Sequence, residues 1–398
     1  MKITYTAPNR SHHYPFADAL HSAGHLHAFV SGFSRFSPRS GHHNVGEKLK
    51  RHDFLQTLYY ASLKLDLPTV FNFTLNRLSN YRLDQASYPW AKESDVFIYY
   101  RTQGYKTSQR LRREGIPTLC VMEEVNSHVD LHIDLQKQEL ERLGLRNTTE
   151  IVIDHALRLK AYEEADCILC PSEFVRRSFL EKGFTPDRLI MVNFGFPHND
   201  ILAAMPMGVE NKPFRVLYVG QIHYRKGLYY AIEAFRKLNH PKKEFIIVGP
   251  KTPITGLEKT QIPEGVVFTG ALKGEALKEQ YRRASVFILP SIEDGFGLVV
   301  GEALTFGVPI LTTLNTGAKD VITNGVEGFT VPPMDVTALA ERLQQMADDE
   351  ELLTRMSIAA LQAARKLGDW NAKAELLISK LTTILTTRGQ PLSEAKLA

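Results

Sequence analysis

Pro290-Ser291-Ile292-Glu293-Asp294-Gly295-Phe296-Gly297-Leu298-Val299-Val300-Gly301-Glu302-Ala303-Leu304 follows directly on the apolar run Ser285-Val286-Phe287-Ile288-Leu289. The order reads as strand, glycine-punctuated loop, then helix. Two carboxylates, Asp294 and Glu302, sit eight residues apart, one before the helix and one about a turn inside it. A loop of small residues lets backbone N–H groups approach a phosphate, and the helix N-terminus adds partial positive charge. A carboxylate there would repel a bare phosphate, so it must accept hydrogen bonds from neutral hydroxyls. A phosphate cradle beside hydroxyl acceptors matches the chemistry of a sugar nucleotide.

With 398 residues, the chain exceeds the length at which a single core stops growing, about 250–300 residues, and two domains are expected. A hydrophobic content of 43% with 23% charged residues is that of an ordinary globular protein, not a disordered or membrane-embedded one. The net charge of +4 favours anionic small ligands or a membrane surface. It is too weak, and too poor in aromatic–basic stripes, for a nucleic-acid partner. Three cysteines in apolar runs give no disulfide framework and suit a reducing compartment. Met1-Lys2-Ile3-Thr4-Tyr5-Thr6 already reads as a strand, without signal-peptide architecture, and no apolar run is long enough to span a bilayer. A cytoplasmic protein, at most peripheral on the inner membrane face, is expected.

Short apolar runs alternate with helical patterns almost throughout, which predicts an α/β fold of two doubly wound parallel sheets. Strands are predicted at Lys2–Thr6, His27–Val30, Val96–Tyr100, Thr118–Met122, Cys167–Cys170 and Leu189–Val192 in the first half. In the second they fall at Arg215–Val219, Glu244–Val248, Val266–Thr269, Val286–Leu289, Pro309–Thr312 and Gly328–Val331. Turn formers from Phe196 through Pro206, Gly208 and Pro213 mark a linker. The expected organisation is a first domain over 1–196, a linker over 197–213 and a second domain over 214–370. A helix over 371–388 crosses back to the first domain, and a frayed tail covers 389–398. The irregular segment between Ser34 and Asp95 carries His42, His43, Lys48, Lys50, Arg51 and His52 beside Leu58, Tyr59 and Tyr60. Its ordinary reading is a solvated helix with an apolar core face; the sharper one is a surface for anionic lipid or a phosphorylated acceptor.

At the start of the second domain, strand Arg215–Val219 runs into Gly220-Gln221-Ile222-His223-Tyr224-Arg225-Lys226-Gly227 and then a helix. Ligands of open α/β sheets sit beyond the strand carboxyl ends, so this glycine turn with two cations is an anion site. Lys226 serves as a point charge for a diphosphate and Arg225 adds a planar fork. Alone the motif is unspecific, since basic residues before a helix are commonly solvated. Its weight comes from sharing a domain with the Asp294–Glu302 loop.

Together these runs resemble the retaining family 4 glycosyltransferases of GT-B fold (glycosyl transferases group 1). The resemblance rests on Val219-Gly220, Arg225-Lys226-Gly227, Ala231-Ile232-Glu233-Ala234-Phe235, Asp294-Gly295-Phe296-Gly297-Leu298, Glu302-Ala303-Leu304 and Gly307-Val308-Pro309. The trailing Thr316-Gly317, Asp320-Val321-Ile322 and Asn324 through Pro333 fit as well. It is dense over roughly 215–370 and thinner in the first half, where it rests on Glu163-Glu164-Ala165-Asp166 and Pro171-Ser172-Glu173-Phe174-Val175.

The resemblance implies that Glu302 bonds the ribose hydroxyls of the donor and that Asp294 reaches hydroxyls of its sugar. Backbone N–H groups around Gly295, Phe296, Gly297 and Leu298 would meet the sugar or distal phosphate, and Lys226 would neutralise the diphosphate leaving group. Two positions depart from the family pattern. Asp294 replaces a longer glutamate, for which adjacent Glu293 offers compensation, and Gln221 replaces an arginine, whose charge Arg225 offers to supply. In the first half, the run after Thr118–Met122 makes His128 the candidate for the histidine that contacts the donor sugar; its ordinary alternative is a surface or capping histidine. Arg10, after the first strand, is a candidate phosphate contact.

Three further features read as structural. His128, Asp130, His132 and Asp134 would chelate a metal if they shared a strand face, but the following Leu135–Leu140 pattern predicts a helix, which scatters them. Cys167 and Cys170 lie within a strand and point to opposite faces, as core residues. Arg110, Arg112 and Arg113 flank Leu111 on a solvated helix face.

By resemblance, then, the expected reaction moves a sugar from a nucleoside diphosphate donor, UDP- or GDP-linked, to a glycan, lipid-linked or small-molecule acceptor hydroxyl. No metal and no cofactor beyond the donor is expected. The alternatives are a nucleotide-sugar epimerase or hydrolase on the same scaffold, and a non-catalytic nucleotide-sugar binder.

Overall fold

Apolar runs flanked by helices on both faces fold as parallel sheets buried on both sides, and the chain builds two of them. The computed structural model describes residues 1–65, 67–145, 155–196, 213–258 and 260–389. The expected linker, apart from Pro213, and the tail beyond Gly389 lie outside the described residues.

The first sheet has seven parallel strands in the order β3-β2-β1-β4-β5-β6-β7. They are β1 (Ile3–Ala7), β2 (Leu26–Ser31), β3 (Leu49–Arg51), β4 (Val96–Tyr100), β5 (Leu119–Glu123), β6 (Cys167–Cys170) and β7 (Leu189–Met191). The second has six in the order β10-β9-β8-β11-β12-β13. These are β8 (Phe214–Val219), β9 (Lys243–Val248), β10 (Val266–Gly270), β11 (Val286–Leu289), β12 (Ile310–Thr313) and β13 (Gly328–Val331). All twelve strands expected from the sequence form, with ends shifted by at most one residue. The thirteenth, β3, is a correction. Its three residues Leu49-Lys50-Arg51 pair with Phe29, Val30 and Ser31 as an edge strand, where a solvated helix was expected.

Thirteen helices pack around the sheets among the described residues. In the first half they are α1 (His13–Ser22), α2 (Phe54–Lys64), α3 (Thr69–Ala91), α4 (Tyr105–Arg113), α5 (Val129–Arg142), α6 (His155–Glu164) and α7 (Glu173–Leu180). The second half holds α8 (Leu228–Lys237), α9 (Glu275–Arg282), α10 (Leu298–Thr305), α11 (Val336–Asp348), α12 (Glu350–Lys366) and α13 (Trp370–Thr387). Asp369 caps α13 by accepting from Ala372 N. The helix then returns to the first sheet, where Ala374, Leu377, Leu381 and Leu385 join the core beneath α1. No described helix is long and apolar enough to cross a membrane.

All three cysteines are free and buried, as expected of core residues. On α4, Arg110 pairs with Glu114 and Arg112 with Glu164, so two of the three arginines hold local structure.

The carboxyl edges of the two sheets face each other and touch. Gly295 lies so near the first half that a Cβ there would stand 1.7 Å from the Val125 carbonyl oxygen, so only glycine fits. Ser172 Oγ donates to the Gly295 carbonyl at 2.5 Å, and Tyr224 Oη donates to Gln136 Oε1 at 2.8 Å. At the centre lies Glu293, fully buried. Its Oε1 accepts from Ser127 N and Oγ at 3.0 and 3.2 Å. Its Oε2 meets His132 Nδ1 at 2.9 Å and accepts from Arg225 Nη1 at 3.0 Å. Burial alone would raise this carboxyl's pKa, but His132, Arg225 and the Ser127 N–H hold it well below the ordinary carboxylate range. Glu293 therefore joins the two halves and does not supplement Asp294, as its sequence position had promised.

Replacing Glu293 by Gln keeps the shape and removes the charge that faces Arg225. Because Arg225 and His132 keep some exposure, a loss of about 2–3 kcal/mol is expected rather than the full value for a buried pair. A carboxyl whose folded pKa is depressed contributes fully above its unfolded value, about 4.3, and loses that contribution as pH falls through the folded value. Thermal melts of wild type and Glu293→Gln should differ clearly at pH 7 and converge as pH falls below about 4. Equal melting temperatures at pH 7 would show that the contact carries no stability.

Candidate donor-binding site

In the second sheet the strand order reverses between β8 and β11, which are adjacent. A crevice opens at such a switch point, outside the strand carboxyl ends. The two motifs singled out in the sequence are the loops leaving these two strands. They are stitched together: Ile292 N donates to the Arg225 carbonyl at 2.9 Å, and a Cβ on Gly227 would lie 2.0 Å from the Pro290 carbonyl oxygen. Gly227 also has φ +67°, a conformation that disfavours side chains, and its place between turn and α8 depends on both properties.

The loop after β8 is shaped by its neighbours. Tyr218 Oη donates to the Gln221 carbonyl at 2.7 Å, fixing the turn and leaving Gln221 exposed. His223 caps the short helical turn Tyr224–Lys226, its Nδ1 accepting from Arg225 N at 3.2 Å. Burial, with Arg225 and Lys226 nearby, pushes the His223 imidazole down to about 4, so it is neutral at pH 7 and serves as an acceptor. Lys226 Nζ reaches Asp294 Oδ2 at 2.5 Å, both side chains being largely buried. Burial lowers the Lys226 pKa, with Asp294 opposing that shift. Arg225 does not turn towards this pair's carboxylate as a spare cation. Its Nη1 donates to the Glu293 carbonyl at 2.6 Å and to the Glu293 carboxylate, so it belongs to the contact between the halves.

The loop after β11 is pinned on its other side by the loop that follows β12. Asp294 N donates to the Asn315 carbonyl at 3.0 Å, and Gly317 N donates to the Asp294 carbonyl at 3.0 Å. Phe296 is buried against Phe194 and Phe196. Gly297 then caps α10 without a side-chain acceptor, and no acidic residue lies in the first turn. Val300 N donates to the Gly297 carbonyl at 2.8 Å, so the N–H groups of Leu298 and Val299 are the ones that face out of the helix start. Glu302, one turn into α10, accepts from Tyr281 Oη of α9 at 2.8 Å. Burial pushes its carboxyl above the ordinary range, with the Tyr281 hydroxyl pulling the other way.

The structure joins Lys226 to Asp294 across the two loops, with Gly297, Leu298 and Glu302 following at the start of α10, whereas Gly295 and Phe296 turn towards the first half of the chain. It does not bring His128 to the Lys226–Asp294 pair. That side chain caps α5 by accepting from Asp130 N and is boxed by Tyr162, Phe179 and Phe184. Burial pushes its imidazole down to about 4. One turn further along α5, His132 takes the position at the junction beside Glu293. The helix also scatters the apparent metal cluster, as expected: Asp130 pairs with His155 and Lys182 instead. Arg10 donates to the Arg39 carbonyl at 2.8 Å and to the His42 carbonyl, bracing the loop after β2.

Sequence reading missed a buried network at the carboxyl ends of β1 and β5. Glu123 meets His12 Nε2 at 2.8 Å and His13 Nδ1 at 3.3 Å, and accepts from Tyr5 Oη at 2.9 Å. Burial opposes ionisation of Glu123, yet the histidines hold its carboxyl well below the ordinary range. Burial pushes His13 down to about 4. The His12 ring stacks on Phe194, which in turn packs on Phe296 of the loop after β11. The signal available in the sequence was His12-His13 at the end of the short loop that follows the first strand.

Comparison with known proteins follows the same geometry. Residues 206–363 match the family Glycosyl transferases group 1. The chain is 33% identical over 168 residues to glycogen synthase of Mycobacterium tuberculosis, a match covering 41% of each. It is 26% identical over 327 residues to the putative colanic acid biosynthesis glycosyltransferase WcaL of Salmonella typhimurium, covering 75% of this chain and 73% of that one. The chain thus spans about four-tenths of the length of the glycogen synthase it matches. The structure of Anabaena HepE in complex with UDP superposes with a TM-score of 0.67 at 15% identity, covering 96% of this chain and 100% of that one. The chain has the GT-B fold, and within it residues 206–363 are similar to the group 1 glycosyltransferase domain.

Proposed function

We propose that this protein is a retaining glycosyltransferase. It moves a sugar from a nucleoside diphosphate-sugar to an acceptor hydroxyl in glycan, polysaccharide or glycolipid assembly. The observation that carries this reading is the Lys226–Asp294 ion pair between the loops of β8 and β11, with Glu302 one turn into the adjoining helix. HepE has also been solved with UDP-glucose, which supports a UDP-sugar as the first donor to try. In this reading residues 1–196 with 371–388 form the acceptor side and 214–370 the donor side.

The chemistry follows from the charges. A diphosphate competes with Asp294 for Lys226 and takes the open N-terminus of α10, leaving the Asp294 carboxylate for sugar hydroxyls. Glu302, buried and already accepting from Tyr281, takes ribose hydroxyls. As the glycosidic bond lengthens, charge grows on the departing β-phosphate, where Lys226 and the helix N-terminus stabilise it. The acceptor attacks the same face through an oxocarbenium-like state, and the departing phosphate takes its proton. No protein nucleophile and no metal ion is required.

Melting the protein with UDP-, GDP-, ADP- and CMP-sugars identifies the donor, because a ligand of the folded state raises stability by about 2.7 kcal/mol at a hundred times its Kd. Lys226→Ala should lower kcat by about a hundredfold or more, the usual loss of one transition-state charge contact. Glu302→Gln should instead weaken donor binding about tenfold, as loss of a charge-assisted hydrogen bond does. Rapid donor breakdown without acceptor would favour the epimerase or hydrolase reading; donor binding without turnover on any acceptor would favour a binder.

With a donor and acceptor in hand, NMR of the product should show the donor's anomeric configuration, and excess EDTA should leave the rate unchanged. An inverted product or an EDTA-sensitive rate would overturn the retaining or the metal-free part of the mechanism.

A further inference from the structure

Helices α2 and α3 form an antiparallel hairpin whose polarity is inverted. The side chains of α2 that it buries are Gln56 and Ser62, and Ser79 of α3 donates to Gln56 Oε1 at 2.7 Å inside it. Its outer faces are apolar: Phe54 is 73% exposed, Leu65 71%, Val70 77% and Phe71 51%. On a helix of 3.6 residues per turn, Phe54, Leu58 and Leu65 fall on one side of α2, and Val70, Leu78 and Tyr81 on one side of α3. A helix pair in water arranges itself the other way round. An exposed apolar surface of this extent marks a binding face.

We propose that this hairpin docks on the surface of an anionic lipid bilayer. Charge selects that occupant. Residues 36–82, which run through the loop after β2, through β3 and along the hairpin, hold seven Lys or Arg against three Asp or Glu, and the stretch 54–82 holds Lys64, Arg77 and Arg82 against Asp66. Lys64 and Arg77 are exposed beside the apolar residues, the pattern of a helix that lies in a headgroup layer. A second copy of this chain would set two such positive segments against each other, so charge disfavours that occupant.

Position adds a consequence. Leu83 packs against Gly32, the residue that follows β2, so residues 69–82 extend past the carboxyl edge of the first sheet by about 20 Å. The cleft between the halves opens on that same edge. A docked hairpin brings the acceptor side of the cleft to the membrane, and a lipid-borne acceptor is the class that this geometry serves. That last step rests on the transferase reading; the docking itself does not.

Sedimentation with phosphatidylcholine vesicles, with and without phosphatidylglycerol, tests the docking, run without sugar nucleotide. The wild type should pellet with the anionic vesicles and be released by high salt. Leu65→Glu/Val70→Glu should weaken that binding more than about tenfold, and Lys64→Glu/Arg77→Glu should abolish the preference for phosphatidylglycerol. Both variants should keep the wild-type melting temperature and its rise with donor, which separates failure of docking from failure of the donor site. Equal binding to both vesicle types would overturn the proposal. So would a wild type that elutes as a dimer and that Leu65→Glu/Val70→Glu converts to a monomer without any change in vesicle binding.

Discussion

A carboxylate removed from water is stable only when its surroundings replace the water, and Glu293 shows what that requires. Two donors from Ser127, one ring nitrogen of His132 and the Arg225 guanidinium surround it. Ser127 and His132 come from the first half of the chain and Arg225 from the second. The charge can be satisfied only while the halves are together, and so it specifies their docking as well as their contact. Tyr224 on Gln136, Ser172 on the Gly295 carbonyl and the absent side chain of Gly295 build outward from this centre.

The same residues shape the crevice between the loops of β8 and β11, so the contact of the halves and that crevice are coupled through the backbone. Arg225 is tied to Glu293, while its neighbour Lys226 is tied to Asp294, and Glu293 and Asp294 are themselves adjacent. Two consecutive cations thus meet two consecutive carboxylates, one pair sealing the halves and the other lining the crevice. A shift of either loop by one residue would exchange these tasks. The register is held by Ile292 N on the Arg225 carbonyl and by the contact between Gly227 and Pro290. An anion that draws Lys226 from Asp294 therefore acts one residue away from the contact that holds the halves.

Much of this was legible in the sequence because strands buried on both faces write themselves as unbroken apolar runs. Val286–Leu289 and Cys167–Cys170 are such runs, and both lie where expected. The loops after β8 and β11 were legible as a pair because each follows a strand end in the same sheet, and the structure joins them through Lys226 and Asp294. The failures have physical causes too. Strand β3 is three residues long, two of them charged, and only an edge beside β2 makes it a strand. Of the neighbouring Glu293 and Asp294, sequence cannot say which faces the other half, since alternate loop residues diverge by a rotation that the loop's own bonds decide. His128 is the helix cap that its ordinary reading allowed. Taking the cap turns its ring inward among Tyr162, Phe179 and Phe184, and His132, four residues on, points to the junction.

The hairpin of α2 and α3 carries the same lesson to the surface. Folding in water selects against exposed Phe54, Leu65 and Val70 around a buried Gln56–Ser79 pair, because each element costs free energy that the opposite arrangement would avoid. The rest of the first half follows the ordinary rule, with apolar side chains packed on both faces of its sheet. A local reversal inside a regular fold implies that the segment answers to a second environment. Its positive charge narrows that environment to an anionic one, and its overhang past the carboxyl edge sets it beside the cleft. In the docked arrangement proposed above, the chain would meet two media, with the cleft where they join.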